Sequence, residues 1–294
     1  MKETTFRDFR IHYRDEGKGE TLLLLHGFCE SSEIWDDFRG ALSKRFRVIT
    51  PDLLGHGKSS PPAVRNNNGE YVNTMEMQAE SAAAVLKSAG VERCTVVGHS
   101  MGGYTALAFA ELFPEKVKGL CLFHSTAMAD PEEKKRDRDK AIESVKKDRK
   151  AFLEGLIPKM FAPANVIKMK GQVEKVLDSA MNIHEDGLVA ALAGMRDRKD
   201  RQHVLEGAKY PVLFIIGKDD LLIPPDRTLP LILKPGHAEA LLLSGVGHMG
   251  FYEAREKTLF AIEKFMEETV RIGTTSMIEK NNLEWRDLYG DLIT

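Results

Sequence analysis

Residues 95–104 read Thr-Val-Val-Gly-His-Ser-Met-Gly-Gly-Tyr, the most informative run of the sequence for both fold and chemistry. An apolar run typical of a buried strand leads directly into Ser100, and an alanine-rich helical pattern follows. Ser100 stands in the pattern Gly-x-Ser-x-Gly. A nucleophile at a sharp strand-to-helix turn has a strained backbone and needs small neighbours, which Gly98 and Gly102 supply. The stretch predicts a nucleophilic serine; the alternative is a glycine-rich turn that only packs.

The sequence on either side of this turn predicts an α/β fold. One or two edge strands are expected within 4–14, and further strands at 22–25, 46–50, 91–97 and 117–123. Helical patterns separate them, one from a capping box of Asn73 and Glu76 to Gly90, and one over 100–113. Such alternation is typical of a mostly parallel sheet with helices on both faces.

A change of pattern after Ser125 predicts an inserted helical segment. No strand pattern occurs from residue 126 to 208, and a charged helix is expected over 130–150. Strands resume at 211–216 and 240–244, followed by a closing helix at 253–270. We therefore expect one core from residues 1–125 and 209–270, and an insertion of residues 126–208. The tail, 271–294, is expected either to pack as a short helix or to stay loose.

Composition excludes several classes of function. The 294 residues contain 42 basic and 44 acidic side chains, so the net charge of −2 gives no reason to expect a nucleic-acid partner. The amino terminus has no apolar stretch that could act as a signal peptide or cross a membrane, and a cytoplasmic location is expected. Three widely spaced cysteines favour free thiols over disulfides. The oligomeric state stays open.

A serine nucleophile needs a base and an acid from later in the chain. His248 lies in a glycine-rich loop directly after the last expected strand, where the base of such an arrangement stands. The loop after 211–216 offers Asp219 and Asp220, either of which could orient the histidine. The spacing of the residues alone does not choose between them.

An oxyanion formed beside the serine needs two backbone donors. The amide of Met101, which follows the nucleophile, is one candidate, and the amide of Phe28, in the loop after 22–25, is the other. No histidine or carboxylate cluster has metal-ligand spacing, and no phosphate-binding glycine loop with a lysine is present. Neither a metal nor a cofactor is expected.

Five segments together resemble the α/β-hydrolase superfamily: 26–28, 52–59, 98–103, 217–224 and 247–249, which occur in the family's order across about residues 5–270. The resemblance implies that the acid is Asp220, four residues before Pro224, with Asp219 as the alternative. It also implies that residues 126–208 form a cap, or lid, above the active site. Apolar cap residues could line an acyl pocket or form the cap's own core. The substrate pocket is assigned to His99, His124, Met160, Phe161 and Met249.

The function that this arrangement implies is hydrolysis of a small or medium carboxylic ester through an acyl-enzyme on Ser100. Acyltransferases, carbon-carbon bond hydrolases and cofactor-free haloperoxidases share the same machinery and remain alternatives. A ligand-binding, receptor-like module with little turnover is a further alternative. The expected partner is a small ester-like molecule.

Overall fold

The computed structural model describes residues 1–61, 65, 69 and 71–280, the last eight of these by their backbone alone. In the described residues eight strands form one sheet in the order β1-β2-β4-β3-β5-β6-β7-β8. Only β1 with β2 and β2 with β4 pair antiparallel. The predicted α/β class with a mostly parallel sheet is confirmed. The strands are β1 Lys2–Phe6, β2 Phe9–Glu16, β3 Thr21–Leu25, β4 Arg47–Pro51, β5 Cys94–His99, β6 Val117–Phe123, β7 Val212–Gly217 and β8 Ala238–Leu243.

The central strands are covered on both faces. Every residue of β3, β5 and β7 is buried. Because successive side chains of a strand point to opposite faces, complete burial requires packing layers on both sides of the sheet. From β4 to β8 the strands run parallel, so the loops that follow β3, β5, β6, β7 and β8 emerge at one edge. In open α/β sheets this edge holds the ligand.

The helices predicted to begin near Asn73 and near residue 100 are present as α2 Met75–Ser88 and α3 Met101–Leu112, but α2 has a different cap from the predicted one. Helix α2 is capped by the side chain of Thr74, which accepts from the amide of Met77 at 3.1 Å, and not by Asn73 as expected. Asn73 is buried and its amide group donates to the backbone oxygen of Leu54 instead. The helices are α1 Asp36–Leu42, α2 Met75–Ser88, α3 Met101–Leu112, α4 Glu132–Leu156, α5 Lys170–Met181, α6 Glu185–Arg196, α7 Gln202–Glu206, α8 Gly250–Glu253 and α9 Arg255–Lys280.

Helices α4 to α7 all lie between β6 and β7. Helix α4 packs mainly on α6, and its regular geometry is interrupted at Asp148, whose carboxylate accepts from the amide of Ala151 at 3.0 Å. Asp148 therefore caps a second helical segment within α4. Ile142, Val145 and Leu153 are buried, so the insertion has apolar contacts of its own behind a charged outer face.

Helix α9 closes the chain and extends past its expected end near residue 270 to Lys280. Gly273 lies within it, and a glycine inside a helix costs only about 1 kcal/mol relative to alanine. The rest of the tail, 281–294 with Trp285 and Leu288, lies outside the described residues. No helix within the described ranges is long and apolar enough to cross a bilayer. Cys29, Cys94 and Cys121 are buried free thiols.

Candidate active site

Ser100 sits at a strained turn between β5 and α3. Its φ of 50° and ψ of −115° lie in a region that side chains rarely adopt. The turn is closed tightly, because a Cβ at Gly98 would overlap the backbone of Gly102, and one at Gly102 would overlap the carbonyl of Leu25. The carbonyl of Ser100 accepts from the hydroxyl of Ser125 at 2.8 Å. The two glycines thus allow the geometry that holds the serine side chain at the carboxyl edge of the sheet.

His248 and Asp220 form a buried pair on the loops after β8 and β7. Nδ1 of His248 lies 2.7 Å from Oδ2 of Asp220. The other carboxylate oxygen accepts from the amides of Leu222 and Ile223, both at 2.9 Å. Asp219 points elsewhere, since its carboxylate accepts from the amide of Gly245. The structure thus brings Asp220, and not its neighbour, to the histidine.

The electrostatics of this pair suit a base that must take up a proton. Burial alone would lower the pKa of His248, but the charge of Asp220 and the hydrogen bond to it outweigh burial and raise that pKa above its ordinary value. Burial opposes ionisation of Asp220 as well, yet the charge and hydrogen bond of His248 keep the pKa of the carboxyl below its usual range. Asp220 is therefore ionised and favours the imidazolium form of its partner.

The loop that carries His248 is tied to the helical insertion. The amide of His248 donates to the backbone oxygen of Met160 at 2.7 Å. Glu253 accepts from the amides of Gly247 and Met249 through one carboxylate oxygen, and from the amide of Ala162 through the other. This role of Glu253 was not predicted from the sequence, because a glutamate in the first turn of a helix is ordinarily a solvent-exposed charge. These three bonds hold the loop of His248 against the helical insertion.

The expected oxyanion donors lie at the start of a helix and in a loop, both at the same edge of the sheet. Met101 is the first residue of α3, and the first amides of a helix have no partner within it. Phe28 lies in the loop after β3. His26 holds this loop in place, because Nε2 of His26 accepts from the amide of Leu53 at 2.9 Å. Because Nε2 accepts, Nδ1 carries the proton and donates to the oxygen of Gly27.

Ser100 and His248 line one cavity of about 200 Å³. Phe28 and Tyr104 from the sheet side complete its floor, and the insertion supplies its wall. Most of the wall is apolar, and its charged groups, Lys134, Asp137 and Arg138, all come from α4. The apolar wall residues are Ala141, Phe152, Leu156, Met160, Leu192 and Met195, with Leu222 and Ile223 beside Asp220. The cavity is thus enclosed by both parts of the chain, with the serine and the histidine exposed to its interior.

The residues assigned to the pocket from the sequence separate into two groups. Met160 lines the cavity, whereas His99, His124, Phe161 and Met249 are buried outside its lining. His124 accepts from the amide of Gly217 through Nδ1, and burial lowers its pKa well below the ordinary value, so it is neutral. Among the apolar residues of the insertion, Phe152, Leu156 and Met160 line the cavity, whereas Ile157 and Phe161 are buried in the core.

In the part of the chain that the structure describes, no group of three or more His, Cys, Asp or Glu side chains is placed to hold a metal ion. The site instead offers a hydroxyl, an imidazole with an ionised carboxylate behind it, and backbone amides at a helix start. These are the components of acyl transfer through a serine.

Comparison with known proteins places the chain among hydrolases. The sequence model described as alpha/beta hydrolase fold matches residues 20–164. A 2-hydroxy-6-oxononadienedioate/2-hydroxy-6-oxononatrienedioate hydrolase of Paraburkholderia phymatum is 30% identical over 267 residues, which is 85% of this chain and 88% of that protein. An uncharacterized protein of Mycobacterium tuberculosis is 39% identical over 118 residues, 40% of this chain; the match spans a third of that protein's length (33%).

Among solved structures, a thermophilic esterase from Thermogutta terrifontis superposes with a TM-score of 0.83 at 28% identity. The superposition covers 91% of this chain and 97% of the esterase. The sequence match to the Paraburkholderia hydrolase and the structural match to the esterase each cover more than four fifths of this chain.

Proposed function

Because the chain belongs to the α/β-hydrolase superfamily, we propose that it is a serine hydrolase that cleaves small or medium carboxylic esters. The single observation that supports this most strongly is the cavity that Ser100 and His248 both line. Oδ2 of Asp220 lies 2.7 Å from Nδ1 of that histidine. The esterase of known structure resembles this chain over nearly its full length.

The proposed reaction has two steps on the same residues. Nε2 of His248 takes the proton of Ser100 as the hydroxyl oxygen attacks the ester carbonyl, and the amides of Phe28 and Met101 stabilise the oxyanion. The imidazolium then returns the proton to the leaving alcohol, which leaves an acyl group on the serine. Water then gives a proton to the same histidine and attacks the acyl carbonyl. As the bond from the acyl carbon to Oγ of Ser100 breaks, the imidazolium gives that proton to Oγ, which frees the acid and the serine.

The size and polarity of the cavity support a modest substrate. An apolar cavity of about 150 Å³ holds a molecule of the size of benzene, so about 200 Å³ accommodates an acyl group of a few carbons or a single ring. Phe152, Leu156 and Met160 form an apolar wall that favours an uncharged acyl chain. We therefore expect turnover to peak at short to medium acyl length.

The decisive experiment is a panel of 4-nitrophenyl esters of increasing acyl length, assayed with the parent chain and with Ser100→Ala. The substitution should lower kcat by on the order of 10⁴ to 10⁶, because the nucleophile itself is removed. Labelling by a fluorophosphonate should be stoichiometric in the parent and absent in the variant. Parent-like hydrolysis by Ser100→Ala would contradict the proposal; full labelling without turnover would favour a receptor-like module.

A second candidate is cleavage of a carbon-carbon bond in a dienedioate, favoured by the relative that is 30% identical across 85% of this chain. Lys134 and Arg138 on the cavity wall carry positive charge that favours a carboxylate of such a substrate, whereas Asp137 on the same wall opposes it and Arg138 is already paired with Asp130 at 3.1 Å. The two functions separate in one comparison. If kcat/KM for a 2-hydroxy-6-oxo-dienedioate exceeds that for the best ester by more than about tenfold, or 1.4 kcal/mol, carbon-carbon hydrolysis replaces esterase as the proposed function.

A further inference from the structure

Tyr104 carries a hydroxyl group on the floor of the substrate cavity. It follows Ser100 by four residues on α3, a spacing that makes two side chains neighbours on one face of a helix. The side chain is 4% exposed and lines the same cavity as Ser100 and His248. Within the described part of the chain the hydroxyl has no hydrogen-bond partner, and the protein does not enclose its oxygen completely. The hydroxyl is therefore open to the cavity, where a substrate group can bind it.

The ring of Tyr104 is held in place by a buried cation. The guanidinium carbon of Arg198 lies 4.0 Å from the ring centroid, which is within the range of a cation–π contact. Nη1 of Arg198 donates to the backbone oxygen of Met195 at 2.9 Å, and Nη2 donates to that of Met128 at 3.0 Å. Nη2 also lies 2.8 Å from Oδ1 of Asp130. The fixed cation presents the hydroxyl in one direction, which reduces the entropy lost when the hydroxyl binds a ligand.

The charge of this cation is compensated. Burial opposes ionisation of Asp130, but the hydrogen bond and the charge of Arg198 keep the pKa of the Asp130 carboxyl below its ordinary value. Asp130 is therefore ionised and neutralises Arg198. Its other oxygen lies 3.1 Å from Nε of Arg138. Both guanidinium groups already have a carboxylate, which favours an uncharged partner for the Tyr104 hydroxyl over a second carboxylate.

An all-carbon acyl chain would leave this hydroxyl without a partner. Apart from Ser100 and His248, the other uncharged side chains of the cavity lining are apolar. A buried donor without an acceptor is costly, so a substrate with an oxygen at this place is favoured over one with a CH₂ group. A rise of about 1.5 Å per residue separates Ser100 and Tyr104 by about 6 Å along α3, which places such an oxygen roughly three or four bonds from the scissile carbonyl carbon.

We propose that Tyr104 is a specificity-determining residue of the cavity: its hydroxyl donates a hydrogen bond to a second, uncharged oxygen of the substrate, such as an ether, keto or hydroxyl oxygen. The inference rests on the proposed function and names a substrate class within it. The preferred substrate is then an oxygen-bearing ester rather than a plain alkyl ester of the same length.

The test compares esters that differ by one oxygen, with the parent and with Tyr104→Phe, which keeps the ring on Arg198 and removes the hydroxyl. The 4-nitrophenyl esters of 3-methoxypropanoic and 4-methoxybutanoic acid have the shapes of the pentanoate and hexanoate, with an ether oxygen in place of one CH₂. A third pair, 2-methoxyethyl and butyl butanoate, places the oxygen in the alcohol part. The kcat/KM ratio of ether to carbon ester should be about 3- to 10-fold lower in Tyr104→Phe than in the parent for at least one pair.

Comparing ratios between two enzymes cancels the chemical reactivity of the esters themselves. Tyr210→Phe is the matched control, because Tyr210 is a partly buried tyrosine that lines a different groove, beside His203. Its ratios should equal those of the parent. Unchanged ratios in Tyr104→Phe for all three pairs would overturn the proposal. Faster hydrolysis of 4-nitrophenyl hydrogen glutarate than of either ether by the parent would also overturn it, because the preferred partner would then be a carboxylate.

Equilibrium binding to Ser100→Ala separates this proposal from the proposed reaction, since binding needs the cavity and not the nucleophile. The ligands are the methyl esters of the four acids and the two butanoates, titrated by calorimetry. For at least one pair the Kd of the ether should be lower than that of its carbon counterpart, and adding Tyr104→Phe should remove the difference. Equal Kd values within every pair, or binding of none, would overturn the proposal whatever the turnover. Parent-like hydrolysis by Ser100→Ala would instead end the serine mechanism without changing the expected difference in Kd, so the two failures are distinguishable.

Discussion

Asp220→Asn tests the acid of the proposed triad, and the structure predicts why this variant should lose activity. One carboxylate oxygen of Asp220 accepts from the amides of Leu222 and Ile223, and the other faces Nδ1 of His248. An asparagine keeps the first two bonds only by directing its oxygen to them. Its NH₂ group then donates to Nδ1, which forces the histidine proton onto Nε2, the atom that must receive the proton of Ser100.

The cost of the wrong tautomer is large. The same exchange in serine proteases lowers kcat by about 10⁴-fold, which corresponds to about 5.4 kcal/mol at 1.36 kcal/mol per factor of ten. We expect a loss of this size here, because Asp220 and His248 are equally shielded, with side chains only 1% exposed. The variant should also lose the raised pKa of His248, and the acidic limb of its residual activity should move to lower pH.

The assay is steady-state hydrolysis of the best 4-nitrophenyl ester, with urea unfolding to confirm that the variants are folded. Asp219→Asn is the matched control: the carboxylate of Asp219 only accepts from the amide of Gly245, which an asparagine oxygen can also do. Its kcat should stay within about twofold of the parent. If Asp220→Asn kept more than a tenth of the parent kcat while Asp219→Asn lost activity, the acid would be Asp219 and the reasoning would be refuted.

Three further predictions concern the pH dependence of activity, the pH dependence of stability, and acyl length. In the parent, kcat/KM should fall on acidification with an apparent pKa above the ordinary 6.5, because His248 must be neutral to act as base and its pKa is raised. An acidic limb of the pH profile of kcat/KM with an apparent pKa at or below 6.5 would contradict this. The stabilisation that the His248 charge gives is full below about pH 6.5 and is lost as pH rises through the folded-state pKa, which urea midpoints across pH measure. Phe152→Ala should shift the preference of the enzyme to longer acyl chains, by roughly fourfold in kcat/KM per added CH₂, since each buried CH₂ contributes about 0.8 kcal/mol. Ile167→Ala, at an 87% exposed position, is the control. An unchanged order of substrates would exclude Phe152 from the acyl site.

Most of the sheet could be predicted because its signals are local. The continuous aliphatic run of β3 and the valines of β5 identify strands buried on both faces without reference to the rest of the chain. The turn at Ser100 could be predicted for the same reason, since Gly98 and Gly102 are needed within two residues of the strained serine. Where a signal depended on a distant partner, prediction failed: Asn73 has a capping pattern, but Leu54 engages its side chain.

The supporting residues of the site could not be predicted because their roles exist only across loops. Oε2 of Glu30 lies 3.1 Å from Nδ1 of His99, 69 residues away in sequence, and Glu253 reaches Ala162 across 91 residues. Each reads locally as an ordinary glutamate. The choice between Asp219 and Asp220 likewise depends on which carboxylate the loop turns toward His248, and adjacent positions on a loop carry no periodicity that would decide it.

The helical insertion contacts the loop of the proposed base, His248, and also forms the cavity wall, so a test of substrate selection must separate these two contributions. The backbone oxygen of Met160 accepts from the amide of His248, and Glu253 bonds both the base loop and the amide of Ala162. Deleting residues 126–208 would therefore remove an acceptor from the base loop together with the wall, and a loss of turnover would not report on substrate selection. Side chains of the wall that make no bond to that loop, such as Phe152 and Leu156, are the positions where selection and alignment of the base can be separated.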